Sequence, residues 1–363
     1  MTASGGLAAP IPVGVITGFL GAGKTTFINR LLRDPSFSGT MVIVNEFGEA
    51  GLDHALIERA EGDVILLASG CLCCSLRGDL VDALRRVLAR RKNGDIAFSR
   101  ILIETSGAAD PAPALQAIGA EASLAMGLTL ARVVTLIDAV NGASTLALYP
   151  QSQRQVALAD QLIVSKGDLV AGGRREEKRR ALHRAIRRLN AHAPVGDSRE
   201  EFSADDFFAV ESLNSEERGA QNGRRFPGRF AASADHDRAF VARSLRTSTL
   251  IAPEALEAFL DLLRTPSPRR LLRVKGFIAT ADHPSAPLLV QAVQHVVHPR
   301  RRLPHWPDGD SATRVVFIGE AGARRDIERL WAMLTGSPGI DSPDSAAIFD
   351  NPLALRRGGL FES

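Results

Sequence analysis

From residue 11 to about residue 169, short apolar runs rich in β-branched side chains alternate with longer stretches of helical period. That alternation is the pattern of βαβ units, in which parallel strands buried on both faces are joined by covering helices. It predicts strands at 11–17, 41–45, 64–68, 101–104, 133–138 and 162–165, with helices at 25–32 and 75–90. At 172–192, Leu182, Ile186 and Leu189 recur at helical spacing among many arginines, which predicts a surface helix with a solvated basic face. From 195 to 237 the hydrophobic period fades into Ser, Asp, Glu, Gly and Arg, the composition of a long loop or linker. Beyond it, strands at 240–244, 271–279, 288–297 and 314–318 and helices at 253–264 and 323–334 predict a smaller α+β domain. The expected organisation is an α/β domain over 1–194, a linker over 195–237, the α+β domain over 238–340 and a loosely held tail over 341–363.

Composition narrows what such a chain does. Its 363 residues exceed one compact core, so two domains are the prior. One Tyr and two Trp provide few platforms for stacking bases, which argues against general nucleic-acid binding. The net charge of +3 comes from 44 basic and 41 acidic residues, so no strong field drives association. No run approaches the roughly 18 apolar residues of a membrane span, and the first residues lack a basic start followed by an apolar stretch. No membrane association and a cytoplasmic location are expected. All three cysteines fall within four positions, a spacing for metal or thiol chemistry and not for a disulfide framework.

The chemistry begins at Gly18-Phe-Leu20-Gly21-Ala22-Gly23-Lys24-Thr25-Thr26, a Walker A loop between a predicted strand and a predicted helix. Its glycines let successive N–H groups face the phosphates of a nucleotide, assisted by the positive end of the helix. Lys24 is expected at the β- and γ-phosphates and Thr25 as a Mg²⁺ ligand. The fold class expected is therefore a P-loop NTPase parallel sheet with helices on both faces, followed by the smaller α+β domain. After the strand at 101–104 comes Glu104-Thr105-Ser106-Gly107, where Glu104 is placed to hold a water on Mg²⁺ or orient the attacking water. Ser165-Lys166-Gly167-Asp168, also after a strand, resembles the guanine-reading N/T-K-x-D motif, in which the Asp carboxylate accepts two hydrogen bonds from the base. An adenine there would leave that carboxylate unpaired, so GTP is the expected nucleotide. Ser165 stands where Asn is commoner, and Asn often ties the base loop to the phosphate loop, so weaker guanine selectivity is expected.

Cys71-Leu72-Cys73-Cys74 lies between a predicted strand and a predicted helix, on the edge expected to carry the nucleotide. Thiolates select Zn²⁺ and similar ions, and a helix start favours the deprotonated form. Zinc takes four ligands, and the outside donor is Glu49, the preferred candidate, or His54, or water. A buried apolar role and a redox thiol pair are the competing readings of the same cysteines.

The segments GFLGAGKTT, NEFGEAGLD, GCLCCSL, ETSG and SKGD, in that order, resemble the CobW-like metallochaperones, a branch of the metal-handling P-loop GTPases. The segment around Leu272-Arg273-Val274-Lys275-Gly276-Phe277 and the strand at Val316-Phe317-Ile318-Gly319 look like that family's carboxyl-terminal domain. The resemblance implies slow GTP hydrolysis coupled to delivery of Zn²⁺ or Co²⁺, with the three cysteines as ligands and the NEFGE segment as a switch that responds to the γ-phosphate. The client implied is a metalloprotein or a cobalamin-pathway enzyme, and a homodimer is compatible with it. An alternative is an activator or maturation partner of a metalloenzyme such as nitrile hydratase. Val44 stands where some relatives carry an acidic residue, and the His-rich stretch of others is missing.

Overall fold

The computed structural model describes residues 9–45, 64–67, 75–119, 121–170, 173, 175–209, 240–265, 270–307 and 309–336. The expected tail, most of the expected linker, the 46–63 segment and the cysteines at 71–74 lie outside them.

The first domain is built on β1 (Ile11–Gly18), β2 (Thr40–Asn45), β3 (Val64–Leu67), β4 (Arg100–Thr105), β5 (Leu128–Asp138), β6 (Gln161–Ser165) and β7 (Val195–Asp197). They form one sheet in the order β3-β2-β4-β1-β5-β6-β7, and every pair is parallel. Parallel strands need crossovers, and the helices α1 (Lys24–Arg33), α2 (Ser75–Lys92), α3 (Ala112–Gly119), α4 (Ala122–Gly127), α5 (Gly142–Leu148), α6 (Pro150–Ala157) and α7 (Arg175–Leu189) supply them. Helix α7 buries Leu182, Ile186 and Leu189, the apolar stripe read from its sequence. On the other face, α1 buries Phe27, Ile28 and Leu31.

Two departures from expectation stand out in the first domain. Strand β5 begins at Leu128 and not at 133, because Arg132 interrupts the apolar run without interrupting the ladder: it sits beside Gly14 and donates to Gln161 Oε1 at 2.8 Å. The expected linker opens instead with β7, whose Val195 pairs with Leu162. A short helix, Ala204–Phe207, then buries Phe207 and Phe208 against Phe37, with ring centroids 5.8 and 6.1 Å away. Three residues with a central glycine carry no period, and isolated aromatics among acids mimic a loop, so the chain beyond 194 still belongs to the first domain through these contacts.

The second domain has β8 (Phe240–Thr247), β9 (Leu271–Thr280), β10 (His283–Val293), the two-residue β11 (Val296–Val297) and β12 (Arg301–Arg302), and β13 (Thr313–Glu320). They form an antiparallel sheet, β11-β10-β9-β13-β8, with β12 on β10. The expected strand at 288–297 starts earlier and breaks at a turn where Gln294 takes φ 52. One face of this sheet packs on helices Pro253–Arg264 and Arg324–Thr335 through Val274, Ile278, Val290 and Phe317. The other face packs on the first domain, where Leu272, Val293 and Ile318 join one core and Phe277 and Leu289 join another. That double burial explains why β9 is buried along its whole length.

Polar groups register the two domains. Gln291 donates to the Leu130 carbonyl at 2.9 Å, and Gln116 of α3 donates to Gln294 at 2.8 Å. His298, also facing α3, is 4% exposed, and neither ring nitrogen has a hydrogen-bond partner among the described residues. A Cβ on Gly119 would lie 2.8 Å from its Nδ1, so glycine is what admits the ring there. Burial, reinforced by the charge of Arg273, lowers the His298 pKa to about 4. The folded protein therefore holds it neutral, whereas the unfolded chain protonates it below about pH 6.5. Its contribution is whole above that value and is lost as pH falls toward 4. We expect stability in urea to drop by up to about 3 kcal/mol between pH 7 and 4 from this group, and His298→Leu to flatten that part of the profile.

Candidate functional site

All seven strands of the first sheet point their carboxyl ends to one edge, and the predicted nucleotide residues gather there. The turn from β1 into α1 is forced by backbone geometry. Gly18 has φ 142, and a Cβ on it would lie 2.5 Å from the Leu136 carbonyl oxygen of β5. Gly21 and Gly23 take left-handed φ values of 72 and 86. Gly23 is the N-cap of α1, and no side chain among the described residues caps the helix, which leaves first-turn N–H groups for an anion. Lys24 is buried and donates from Nζ to the Gly18 carbonyl at 3.1 Å, so its ammonium folds back over the loop. Leu20 is 61% exposed, Ala22 is buried and Thr26 faces solvent.

Strand β4 delivers the second element beside β1. Glu104 is 4% exposed, and its Oε1 accepts from Thr25 Oγ1 at 3.5 Å. A hydroxyl and a carboxylate facing one another beneath the phosphate loop are hard oxygen donors, a set that fits Mg²⁺. Thr105 donates to Thr17 at 2.7 Å, both buried, and locks the two strand ends together. Gly107 then passes so close to the phosphate loop that a Cβ would lie 2.7 Å from the Leu20 nitrogen. Gln155 of α6, buried, holds this segment by donating to the carbonyls of Gly107 at 3.1 Å and Ala109 at 3.0 Å. Nothing in the local sequence flags Gln155. Only its place on a helix crossing the strand ends could have suggested it.

The third element follows β6. Ser165 donates to the Ala22 carbonyl at 2.6 Å, so the serine makes the tie between base loop and phosphate loop that the sequence suggested it would lack. Lys166 takes a left-handed conformation, φ 57, and its Nζ donates to Asp138 Oδ2 at 3.2 Å. Asp168 lies in the 3-10 turn Gly167–Leu169 and is exposed, open to a ligand. Beside it, the turn after β7 places Arg199, which forks Asp197 at 2.9 and 2.7 Å, and that pairing holds the Asp197 carboxyl below its usual range. This fourth wall belongs to the segment read as linker, which is why it was missed. Thus Gly18, Leu20, Gly21, Ala22, Gly23, Lys24, Thr25, Thr26, Glu104, Ser165, Lys166 and Asp168 share one edge. Cys71, Cys73, Cys74, Glu49 and His54 lie outside the described residues.

Known proteins place this architecture. Residues 12–196 match the CobW/HypB/UreG nucleotide-binding domain, and residues 240–335 match the carboxyl-terminal domain of the cobalamin synthesis protein cobW. The zinc chaperone YjiA of Escherichia coli is 33% identical over 326 residues, spanning 90% of this chain and 99% of its own length. The zinc chaperone CobW of Pseudomonas aeruginosa is 36% identical over 191 residues, 44% of this chain and 50% of its own. The crystal structure of the Zn(II)-bound YjiA GTPase from E. coli superimposes with a TM-score of 0.60 at 27% identity, covering 90% of this chain and 99% of that one.

The Ser165 bond is testable because a neutral hydrogen bond contributes about 1 kcal/mol. Ser165→Ala should weaken guanine-nucleotide binding about five-fold by calorimetry, and Ser165→Asn should restore most of the loss. Unchanged affinity in the alanine variant would mean that the loop tie is incidental.

Proposed function

This chain belongs to the CobW/HypB/UreG family and carries the CobW carboxyl-terminal domain; from that premise we propose that it is a GTP-hydrolysing metallochaperone. Its cargo in this reading is Zn²⁺, with Co²⁺ as the second candidate, taken up through Cys71, Cys73 and Cys74 and passed to a client metalloprotein. The observation that carries the reading is the joint placement of an uncapped helix start, the Thr25–Glu104 pair and the Ser165-tied base loop on one sheet edge. A wholly unrelated phosphotransferase would need the first of these and not the other two. The full-length likeness to a protein named as a zinc chaperone supports the choice of cargo.

The division of labour follows from the residues. The loop N–H groups and Lys24 bind the phosphates, with Lys24 leaving the Gly18 carbonyl for the more basic phosphate oxygens. Thr25 would hold Mg²⁺, whose charge, when bound, offsets that of the β- and γ-phosphates. Glu104 is within reach of that position and orients water for attack on the γ-phosphate. Asp168 accepts from the guanine ring, in a loop positioned by Ser165, Lys166 and Asp138.

Coupling to cargo rests on strand order. β2 lies between β3 and β4, so the chain leaves toward Glu49 from the strand beside the one that carries Glu104, and toward the cysteines from the next strand out. A segment ordered by the γ-phosphate would thus share its anchor with the metal ligands, and hydrolysis would loosen both. The name of a fission yeast relative, zinc-regulated GTPase metalloprotein activator 1, 31% identical over 195 residues, favours a second reading in which delivery activates a client enzyme.

Metal titration of the reduced protein separates these ideas from a simple GTPase. Zn²⁺ affinity should be at least about ten-fold higher with Mg²⁺ and a slowly hydrolysed GTP analogue than with Mg²⁺-GDP, and Cys73→Ala should abolish the difference. Equal affinity in all nucleotide states sinks the chaperone reading. Thr25→Ala should lower GTP turnover by about a hundred-fold or more while leaving the fold intact by circular dichroism.

A further inference from the structure

The turn after β7 forms the fourth wall of the nucleotide edge. β7 lies beside β6, with Asp197 opposite Val164, so this turn stands next to the base loop at 165–168. It is tied to the helix that follows the phosphate loop, because Arg30 of α1 donates from Nη2 to the Glu200 carbonyl at 2.9 Å. It is also closed on itself. The Ser198 N–H goes to the Val164 carbonyl at 2.9 Å, the Arg199 N–H to Asp197 Oδ1 at 2.9 Å and the Glu200 N–H to the Asp197 carbonyl at 3.1 Å. The main-chain donors of residues 198–200 are thus spent before a base arrives.

What the turn presents instead is a side chain. Asp197 holds Arg199 through Nε and Nη2, and Nη1 has no hydrogen-bond partner among the described residues. A guanidinium is planar, so two nitrogens held by one carboxylate fix the direction of the third. The ion pair lies against the base loop: a Cβ on Gly167 would be 3.8 Å from both Arg199 Nη2 and Asp197 Oδ2. Gly167 immediately precedes Asp168, and its carbonyl accepts from Arg175 Nη2 at 2.7 Å, which limits movement of the peptide leading into Asp168. The hydrogen bond to Asp197, the charge of that carboxylate and the charge of Asp168 raise the Arg199 pKa, so a cation stands beside Asp168.

A carboxylate next to a guanidinium is the complement of one purine edge. Guanine presents its 2-amino group and N1–H as donors and then its 6-oxo group as an acceptor, whereas adenine presents an acceptor at N1 and a donor at the 6-amino group. Given the guanine reading of this edge, on which the assignment rests, we propose that Arg199 is a second specificity-determining residue: Nη1 donates to the 6-oxo group while Asp168 accepts from N1 and the 2-amino group. The side chain takes the part that the spent N–H groups of residues 198–200 cannot. An adenine in the same pose sets its 6-amino group against the guanidinium and its N1 against the carboxylate, so both contacts turn unfavourable. One charge-assisted bond at an exposed position is worth about ten-fold in affinity.

Calorimetry on the full chain, with Mg²⁺ and without transition metal, tests this using GDP, ADP and inosine diphosphate, which keeps the 6-oxo group and N1–H but lacks the 2-amino group. Arg199→Ala should weaken GDP and inosine diphosphate to the same extent, about ten-fold, and leave ADP unchanged or tighter. Arg199→Met, which keeps the apolar stem, should behave like the alanine variant. Asp168→Ala differs in kind, costing GDP more than inosine diphosphate because it removes the acceptor of the 2-amino group. Parental GDP affinity in either Arg199 variant overturns the proposal while the guanine reading stands. An equal loss for all three diphosphates also overturns it, since the arginine then only props the turn. If the unaltered protein binds ADP as tightly as GDP, the guanine reading itself falls and the role of Arg199 with it.

Discussion

Seven strands running in one direction put seven carboxyl ends along one edge, and the chemistry of this protein depends on that constraint. The phosphate loop leaves β1, Glu104 ends β4, Asp138 ends β5 and Ser165 ends β6, so groups far apart in sequence become neighbours without any special packing. Short bonds then fix what topology brings close. Thr105 binds Thr17, Ser165 binds the Ala22 carbonyl, and Lys166 binds Asp138. Each links two strand ends or the loops that follow them. The site is therefore a property of the sheet's edge more than of any single loop.

The opposite constraint operates on the second domain. Both faces of its sheet are packed: two helices lie on one side and the first domain on the other. An apolar interface of this kind tolerates sliding, and the polar contacts limit it. Gln291 must find the Leu130 carbonyl, and Arg273 must find both the Leu158 carbonyl and Asp160. Buried ion pairs of this sort add little net stability against apolar replacements, yet removing one partner is strongly unfavourable, which makes them effective at setting register.

Much of this was legible in the amino-acid order where a residue type has one physical use. Glycines at 18, 21 and 23 followed by Lys24 and Thr25 have few roles outside a phosphate loop, and the strand and helix around them are present. Leu182, Ile186 and Leu189 announced the buried stripe of α7. Legibility failed where a residue's role is set by a distant partner. Arg132 falls just before the strand expected at 133–138 and is instead inside it, a strand residue at the domain interface. Val195 to Asp197 looked like a linker because three residues have no period, although β6 supplies their ladder. Ser165 looked like a weakening of the base loop, since sequence cannot show that a hydroxyl reaches the Ala22 carbonyl. Gln155 carried no signal because its partners are backbone carbonyls nearly fifty residues away.

One arginine has a place that neither domain explains alone. Arg154 of α6 gives one arm of its guanidinium to Asp110, just past the Glu104 segment, and the other to Glu320, at the end of β13 in the second domain. Both bonds are short, 2.8 and 2.9 Å, and both use one planar fork. A fork shared in this way behaves as a balance arm. If the chain after Glu104 withdrew Asp110, the whole guanidinium would turn to Glu320, and a pull on Glu320 would be felt at Asp110. The segment that follows Glu104 and the end of β13 thus share one guanidinium.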